Sequence, residues 1–494
     1  MSSVGPVGAR LRADAMRADD IETAERVPPA HPRATARLPR PSLLGAVGAA
    51  VVLWGLVSGL RPLFDNSFLT HLATGRIILD HGIPRADPYS FTAPGHPWVV
   101  QSWLASVVYA GLERQVGDWS LVVLHGAQTA LLALLAWRLT RPAGSLIARI
   151  VAVSPVVALG AKLWSSRPVL FGLTLFAVTV LLAEDDRRSP RWLLPAGWVW
   201  VNTHGSFPFG PLYLGLRAIG RRLDHRPPRR LVRLLAFSVA GTALGALNPL
   251  GLRILLFPLH LLGQRDVLSH VIEWQSPNFS KPENLVFLGH VLLALLLLMR
   301  RPSWEDGIVA AVFGLLGAVA LRNTAVASFA LAPVLARGLG RIGSITGERR
   351  SLPSMAAFAA MAALGLVLTI GAARGPAFSL RSYPVRELDW MERNRYLAGR
   401  VATQDFVGNL RTLRDGPGRN VFFDDRFDMY PRAVGKASFD LLAGSPDYQA
   451  ILDRYRVDTV LWEKKLPLAV VLQADRRWRV VHTTKSWVVI TRAV

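Results

Sequence analysis

The feature that most constrains this chain is a series of long apolar runs separated by short connections rich in arginine. About 20 apolar residues in a helix are enough to cross the ~30 Å hydrocarbon core of a membrane. Counting the runs that approach this length gives about eleven spans. They centre on residues 43–60, 119–137, 146–163, 168–183, 191–202, 206–217, 231–247, 285–299, 307–321, 323–337 and 354–373. The sequence therefore predicts an α-helical polytopic membrane protein.

The composition agrees with that prediction. The chain is 51% hydrophobic and only 18% charged, which is too apolar for an ordinary soluble protein of 494 residues. The net charge of +23 could point to nucleic acid, but the arginines stand in short clusters between apolar runs instead of forming one basic domain. Membrane topology explains this pattern better, so no nucleic-acid partner is expected. The chain has no cysteine, so a metal site would need carboxylate or histidine ligands.

The arginine clusters also predict an orientation. If the N-terminus is cytoplasmic, pairs such as Arg187–Arg188, Arg221–Arg222 and Arg300–Arg301 all lie in inner connections, as the positive-inside rule requires. An odd number of spans then leaves the C-terminal region outside. We expect a multi-pass protein of the cell (plasma or inner) membrane with an extracytoplasmic C-terminus, surrounded by membrane lipids.

Three regions follow from this topology. Residues 1–41 are polar and lack an apolar run, which predicts a disordered cytoplasmic tail. Residues 42–374 form the multi-pass domain, with its first outer loop at 61–118. Residues 375–494 carry shorter apolar runs and are predicted to form a small extracytoplasmic α/β domain. Its predicted strands are 420–423, 457–462, 479–484 and 486–491, and its predicted helices are 448–455 and 467–474.

Polar and ionisable groups gather at the predicted outer ends of the spans. Such groups are costly at membrane depth and usually line a cavity or meet a partner. The candidates for one outward-facing site are Asp65, His71, Asp87, Arg167, His204, Glu273 and Arg322.

Three of these groups, and a further acidic run, also have a simpler interpretation. Arg167 before Pro168 could anchor a helix at the interface, and His204 could bond a neighbouring carbonyl. Asp87 in RADPYS has the pattern of an Asx-turn. The acids of FFDDRFDMYP, residues 422–431, could bind metal or sugar, but a solvated loop after a strand is the default prediction.

The remaining motifs narrow the chemistry. The chain has no H-E-x-x-H, no P-loop and no G-x-S-x-G, so metalloprotease chemistry and ATP-driven transport lack support and no nucleotide is expected. One well-placed carboxylate could take a proton from a hydroxyl that attacks an anomeric carbon. Asp65 suits that role, while Arg167, His204 and Arg322 could hold the charge of a departing lipid phosphate.

The first outer loop resembles that of the GT-C superfamily of polytopic glycosyltransferases, in particular bacterial members whose loop reads roughly D-x-D-x-W-W-H-L-x-x-G. The matching run is DNSFLTHL, from Asp65 to Leu72. Further matching runs are SSRP at 165–168, WVNTHGSF at 200–207, NPLG at 248–251, EWQSP at 273–277 and FFDDRFDMYP at 422–431. The similarity extends over nearly everything after Pro41.

The resemblance implies a hexosyl or pentosyl transferase that uses a polyprenyl-phosphate-linked sugar and inverts the anomeric carbon. The acceptor would be a glycan, a lipid or a protein of the cell envelope, and the catalytic carboxylate would be Asp65 by position. The second acid of the family pattern is Ser67 here, which leaves Asp87 as a candidate second acid and a divalent metal undecided. Two other functions stay open: a transporter or flippase for a lipid-linked saccharide, and a non-enzymatic envelope assembly protein.

Overall fold

The computed structural model describes residues 41–264, 268–340, 342–343 and 345–493. Apart from Pro41, the tail predicted at 1–41 lies outside these residues. The described chain is mostly helical and carries one small sheet near its C-terminus.

Fourteen α-helices precede the C-terminal region in the described part of the chain. They are α1 Leu43–Gly59, α2 Asn66–His81, α3 Trp103–Val116, α4 Trp119–Leu139, α5 Leu146–Leu163, α6 Val169–Glu184, α7 Leu193–Thr203, α8 Phe209–Leu223, α9 Arg229–Leu244, α10 Arg253–Leu262, α11 Pro282–Arg300, α12 Trp304–Val319, α13 Asn323–Leu339 and α14 Leu352–Ala373.

All eleven apolar runs are helical, which confirms the predicted helices, including the proline-containing α7 and α8. Among the described residues, four helices are long and apolar enough to cross a membrane: α4, α5, α11 and α14. The helices α1, α6 and α10 are apolar but shorter. The number of spans therefore stays a prediction. Three of the fourteen helices had no counterpart in the sequence prediction: α2 and α3 in the first loop, and the ten-residue α10.

Helix α13 forms the centre of the bundle and is buried along nearly its whole length. It packs against α5, α6, α11 and α12, and it presents small residues such as Ala327, Ala330 and Ala336 to them. Small side chains let helix backbones approach closely where lipid supplies no hydrophobic drive. Helix α14 is the opposite case, because only Ser354 and Gly365 of its 22 residues are buried. Its exposed Leu366 and Val367 suit contact with lipid.

The C-terminal region contains five helices and four strands. The helices are α15 Val385–Arg393, α16 Asp405–Asp415, α17 Arg432–Ala443, α18 Tyr448–Arg454 and α19 Pro467–Ala474; the strands are β1 Val401–Thr403, β2 Thr459–Glu463, β3 Trp478–Thr483 and β4 Trp487–Arg492. The sheet order is β1-β2-β4-β3, with β1 parallel to β2 and the other pairs antiparallel. Three predicted strands and both predicted helices are confirmed within two residues.

The strand predicted at 420–423 is wrong. Val421 bonds to the backbone of the first loop instead of joining the sheet: its N–H donates to the Tyr89 carbonyl at 3.1 Å, and its carbonyl accepts from Phe91 N at 3.0 Å. The short strand β1 takes the edge position beside β2. Both NVFF and β1 are apolar, and only the tertiary contacts decide which one enters the sheet.

The first loop and the C-terminal region share a hydrophobic core. Tyr89, Phe91 and Trp98 of the loop are buried with Phe422 and Phe423 of the C-terminal region. A short backbone bridge also pins the start of the loop, because Leu63 N donates to the Ala377 carbonyl at 2.8 Å. These contacts place the N-terminus of α2 between the helical bundle and the C-terminal region.

Candidate functional site

Asp65 lies at the N-terminus of α2 and caps that helix. Its Oδ1 accepts a hydrogen bond from Ser67 N at 3.1 Å, as an aspartate preceding a helix is expected to do. Its Oδ2 lies 3.2 Å from Nε of Arg167, and only 9% of the side chain is exposed. Asp65 therefore serves as a helix cap and as one half of an ion pair.

Arg167 joins Asp65 to Glu273, although the three residues come from three separate segments. Its guanidinium pairs with both carboxylates and also donates from Nε to Ser165 Oγ at 3.0 Å. Burial alone would lower the pKa of Arg167, but the two carboxylates raise it above its ordinary value. In Glu273, burial raises the pKa, but Arg167 outweighs that effect and the net pKa is lowered. Arg167 and Glu273 therefore both stay charged at neutral pH.

Arg322 reaches the same place from the start of α13. Its backbone N–H donates to the Glu273 carbonyl at 3.1 Å, and its guanidinium stacks over the Trp274 ring at 4.4 Å. Among the described residues, no carboxylate forms an ion pair with Arg322. Its guanidinium therefore contacts a ring face and lies within electrostatic range of Glu273 without a direct ion pair, so it can accept an anion.

Two histidines complete the group. A ring nitrogen of His71 lies 3.3 Å from Ser106 Oγ, and burial together with the charge of Arg167 lowers the pKa of His71 to about 4. His204 lies in the turn after α7, with its Nδ1 2.8 Å from Ser206 Oγ, within electrostatic range of Arg322, Arg167 and His71. Gly172 of α6 lets this turn approach, because a Cβ there would lie 2.5 Å from Ser206 Oγ.

The structure thus brings together six of the seven predicted site residues, namely Asp65, His71, Arg167, His204, Glu273 and Arg322. We call them the Asp65 cluster. It lies where the N-termini of α2, α6 and α13 meet the loop before α11.

Asp87 belongs to a different network. Its Oδ1 accepts from Tyr89 N and its Oδ2 from Ser90 N, both at 3.1 Å, so the predicted Asx-turn is confirmed. Its Oδ1 also pairs with Nη1 of Arg426 at 2.6 Å, and the carboxylate is fully buried. Both oxygens of Asp87 are occupied within the core shared by the loop and the C-terminal region, so the structure separates Asp87 from the Asp65 cluster, and its role as a second catalytic acid stays a prediction.

The acid that does approach Asp65 is Asp425. Ser67 Oγ donates to Oδ2 of Asp425 at 2.6 Å, while the Ser67 backbone N–H donates to Oδ1 of Asp65. The sequence singled out this acidic run, but the default prediction of a solvated loop is wrong: Asp424 is fully buried and Asp425 is half-buried. The burial depends on contacts with α2 and α16, which the local sequence does not reveal.

The pKa of Asp425 also lies above the ordinary value for an aspartate. Burial, and next the charge of Asp405, raise the pKa of Asp425 to about 8. Coupled buried carboxylates in one site titrate as a group, with at least one of them pushed toward neutrality. Asp425 therefore holds its proton more readily than an ordinary aspartate.

Two other features of the described residues delimit the site. The described residues contain no group of three or more His, Cys, Asp or Glu side chains placed to hold a metal ion. A cleft of 160 Å³ lies between α2 and α16, lined by Arg76, Asp80, His81 and Thr412 among others, and it contains none of the seven predicted residues.

No protein-family model and no curated protein matches the chain. A solved structure that aligns with this chain is the archaeal oligosaccharyltransferase AglB from Archaeoglobus fulgidus, in complex with an inhibitory peptide and a dolichol-phosphate. The similarity covers 85% of this chain and 69% of that chain, with a TM-score of 0.44 and 10% sequence identity. A likeness at this level assigns neither an activity nor a substrate to this chain.

Proposed function

We propose that this protein is a membrane glycosyltransferase that moves a hexosyl or pentosyl group from a polyprenyl-phosphate carrier to an envelope acceptor. The observation that carries the proposal is the Asp65 cluster, in which two guanidinium groups and two carboxylates meet at one end of an apolar helical bundle. Under the topology predicted from the arginine clusters, this end faces the outer side of the cell membrane.

The cationic half of the cluster suits the leaving group. When the bond between the anomeric carbon and the phosphate oxygen breaks, the phosphate takes the electron pair and needs fixed positive charge nearby. Arg322 has no carboxylate partner among the described residues, so it can meet that charge without first breaking an ion pair. Arg167 is held in place by Asp65 and Glu273 and adds a second positive charge.

The carboxylates at this site could activate the acceptor hydroxyl. An acceptor hydroxyl becomes a better nucleophile when a carboxylate takes its proton as the new glycosidic bond forms. Asp65 and Asp425 both lie within hydrogen-bond distance of Ser67 and are the candidates for that role. An acceptor glycan, lipid or protein would approach from the C-terminal region, which supplies Asp425.

The test is a transfer assay on the full-length protein in lipid nanodiscs. The donors are radiolabelled polyprenyl-phosphate glucose, mannose, galactose and arabinose, and the acceptor is an envelope extract of the source cell. Wild type is expected to transfer label from one donor, and Asp65→Asn is expected to lose at least 100-fold of that rate, on the scale of losing one electrostatic contact in a site. Asp80→Asn is the matched control, because Asp80 lies on the same helix but pairs with Arg114 at the surface.

Three results are informative. Transfer by wild type and by Asp80→Asn, with loss in Asp65→Asn, supports the proposal. Movement of labelled lipid between the leaflets of a proteoliposome, without transfer from any donor, would replace it with a flippase. If the protein does neither, the non-enzymatic assembly role becomes the better explanation.

A further inference from the structure

Asp424 and Asp425 are neighbours in the chain but have opposite surroundings. Asp424 is fully buried and gives both oxygens to Arg426, with Nη2 2.8 Å from Oδ2. Asp425 points the other way, toward α2, and accepts the Ser67 hydroxyl at 2.6 Å. Among the described residues, no basic side chain forms an ion pair with Asp425. The first acid is therefore a structural partner of Arg426, and the second forms no direct ion pair with a described residue, although Arg167 lies within electrostatic range of it.

The position of Asp425 is fixed by its backbone as well as by its side chain. Asp425 N donates to Asn409 Oδ1 at 3.1 Å, and the same oxygen accepts from Thr70 Oγ1 at 2.6 Å. Asn409 is completely buried on α16, and Thr70 lies one turn after Ser67 on α2. One amide side chain therefore ties the Asp425 loop to the helix that Asp65 caps.

Asp65 is the less suitable proton acceptor of the two. Its Oδ2 contacts Arg167 Nε and its Oδ1 accepts the Ser67 N–H that caps α2, so both oxygens are already engaged. An efficient base has a pKa near the working pH, and enzymes reach such values by burying a carboxylate beside a like charge. Asp425 meets that requirement, since burial and Asp405 raise its pKa to about 8.

We propose that Asp425, supplied by the C-terminal region, takes the proton of the acceptor hydroxyl, and that Ser67 positions it. This inference rests on the glycosyltransferase function proposed above. The acceptor O–H bond breaks and its proton goes to the Asp425 carboxylate, while the acceptor oxygen bonds to the anomeric carbon. The bond from that carbon to the phosphate oxygen breaks, and its electron pair leaves with the phosphate. Asp65 keeps Arg167 in place and exchanges no proton.

The Ser67→Ala substitution distinguishes the role of Asp425 from that of Asp65. The bond to Asp65 comes from the Ser67 backbone and survives the substitution, whereas the bond to Asp425 comes from the hydroxyl and is lost. The hydroxyl lowers the pKa of Asp425, so its removal raises that pKa. A net hydrogen bond of ordinary strength corresponds to a shift of about half to one pH unit.

The experiment measures protonation and turnover separately on the full-length protein in nanodiscs. Dicyclohexylcarbodiimide, which attacks protonated carboxyl groups, is applied from pH 6 to 10, and peptide mass spectrometry reports the labelled residue. We expect Asp425 to be labelled at pH 7, with labelling falling through about pH 8, and Asp65 to stay unlabelled. In Ser67→Ala, the pH midpoint of labelling and the acid limb of the transfer rate should both shift to higher pH. The control is Ser154→Ala on an exposed face of α5, which should leave both unchanged.

The outcomes distinguish this inference from the function on which it rests. Transfer by wild type together with a normal rate in Asp425→Asn would overturn the role of Asp425 and leave the glycosyltransferase standing. An unshifted acid limb in Ser67→Ala, or labelling of Asp65 instead of Asp425, would overturn it as well. Absence of transfer from every donor in wild type would reject the function itself, whatever the labelling shows. Loss of transfer in Asp425→Asn with the paired shift in Ser67→Ala supports the inference.

Discussion

Helix α6 carries an ion network at each end, and the two networks differ in how completely their charges are paired. At the Glu184 end, Arg217 pairs with Glu184 and Glu305, and Arg337 pairs with Glu184 and Asp306. We call this group the Arg217 network. The Asp65 cluster lies at the other end, about 24 Å away along a 16-residue helix. In the Asp65 cluster Arg322 faces a tryptophan ring, and beside the cluster Asp425 accepts a serine hydroxyl.

The difference separates a structural network from a site that can receive a ligand. In the Arg217 network each guanidinium contacts two carboxylates, and the side chains of Arg217 and Glu305 are less than 10% exposed. Such an arrangement locks helices α6, α8, α12 and α13 together and has little capacity for a new partner. The Asp65 cluster and the neighbouring Asp425 include one cation and one acid that form no direct ion pair among the described residues, which is what a reaction that creates a phosphate and releases a proton requires.

The largest effect on stability should come from disrupting the Arg217 network. Arg217→Met leaves the carboxylates of Glu184 and Glu305 buried with their compensation reduced, and removing one partner of a buried ion pair costs about 3–5 kcal/mol. We expect a marked fall in the unfolding temperature of the protein in nanodiscs, followed by tryptophan fluorescence. A loss under about 1 kcal/mol would show that this end is also adaptable and would remove the contrast.

A substitution in the Asp65 cluster should lower the transfer rate and leave the unfolding temperature nearly unchanged. Arg322→Gln removes the unpaired cation, and loss of one such charge from a reacting site costs about 100- to 1000-fold in rate. The unfolding temperature should stay close to that of wild type, because no described carboxylate loses its ion-pair partner. Arg322→Lys is the matched variant and should keep more activity. A drop in stability as large as that of Arg217→Met would make Arg322 a structural residue.

The smallest effect should come from an exposed ion pair close to the cluster. Lys162 at the end of α5 pairs with Glu283 at 3.0 Å, and both side chains are well exposed. Exposed pairs contribute little, so Lys162→Met should change neither the unfolding temperature nor the transfer rate measurably. A clear loss of transfer in Lys162→Met would extend the functional surface beyond the Asp65 cluster.

Much of the fold follows from local sequence. Apolar runs of sufficient length predicted the eleven helices of the bundle, because a chain in lipid must satisfy its backbone hydrogen bonds within each segment. Alternating apolar residues between turn signals likewise predicted β2, β3 and β4. The helices α2 and α10 were missed because α2 carries mixed polar residues and α10 is only ten residues long.

Part of the site could be predicted as well. Ionisable groups at the ends of apolar helices are rare and costly, so Asp65, Arg167, His204 and Arg322 stood out from the sequence. Their predicted position on one side of the membrane made a shared site possible but did not determine which of them converge. Asp87 shared that side too, but its distance from the cluster follows from a pairing with Arg426, 339 residues away in the chain.

The sequence by itself determined the helical membrane architecture, the Asx-turn of Asp87 and the list of candidate groups, since each depends on local composition and spacing. The tertiary structure alone decided which acids have counterions. Asp65 forms an ion pair because Arg167, just before α6, reaches it, whereas Asp425 forms no direct ion pair with a described residue because Asn409 and Ser67 hold it against α2. Ion pairing and burial are long-range properties, and they set the charge and basicity on which the proposed chemistry depends.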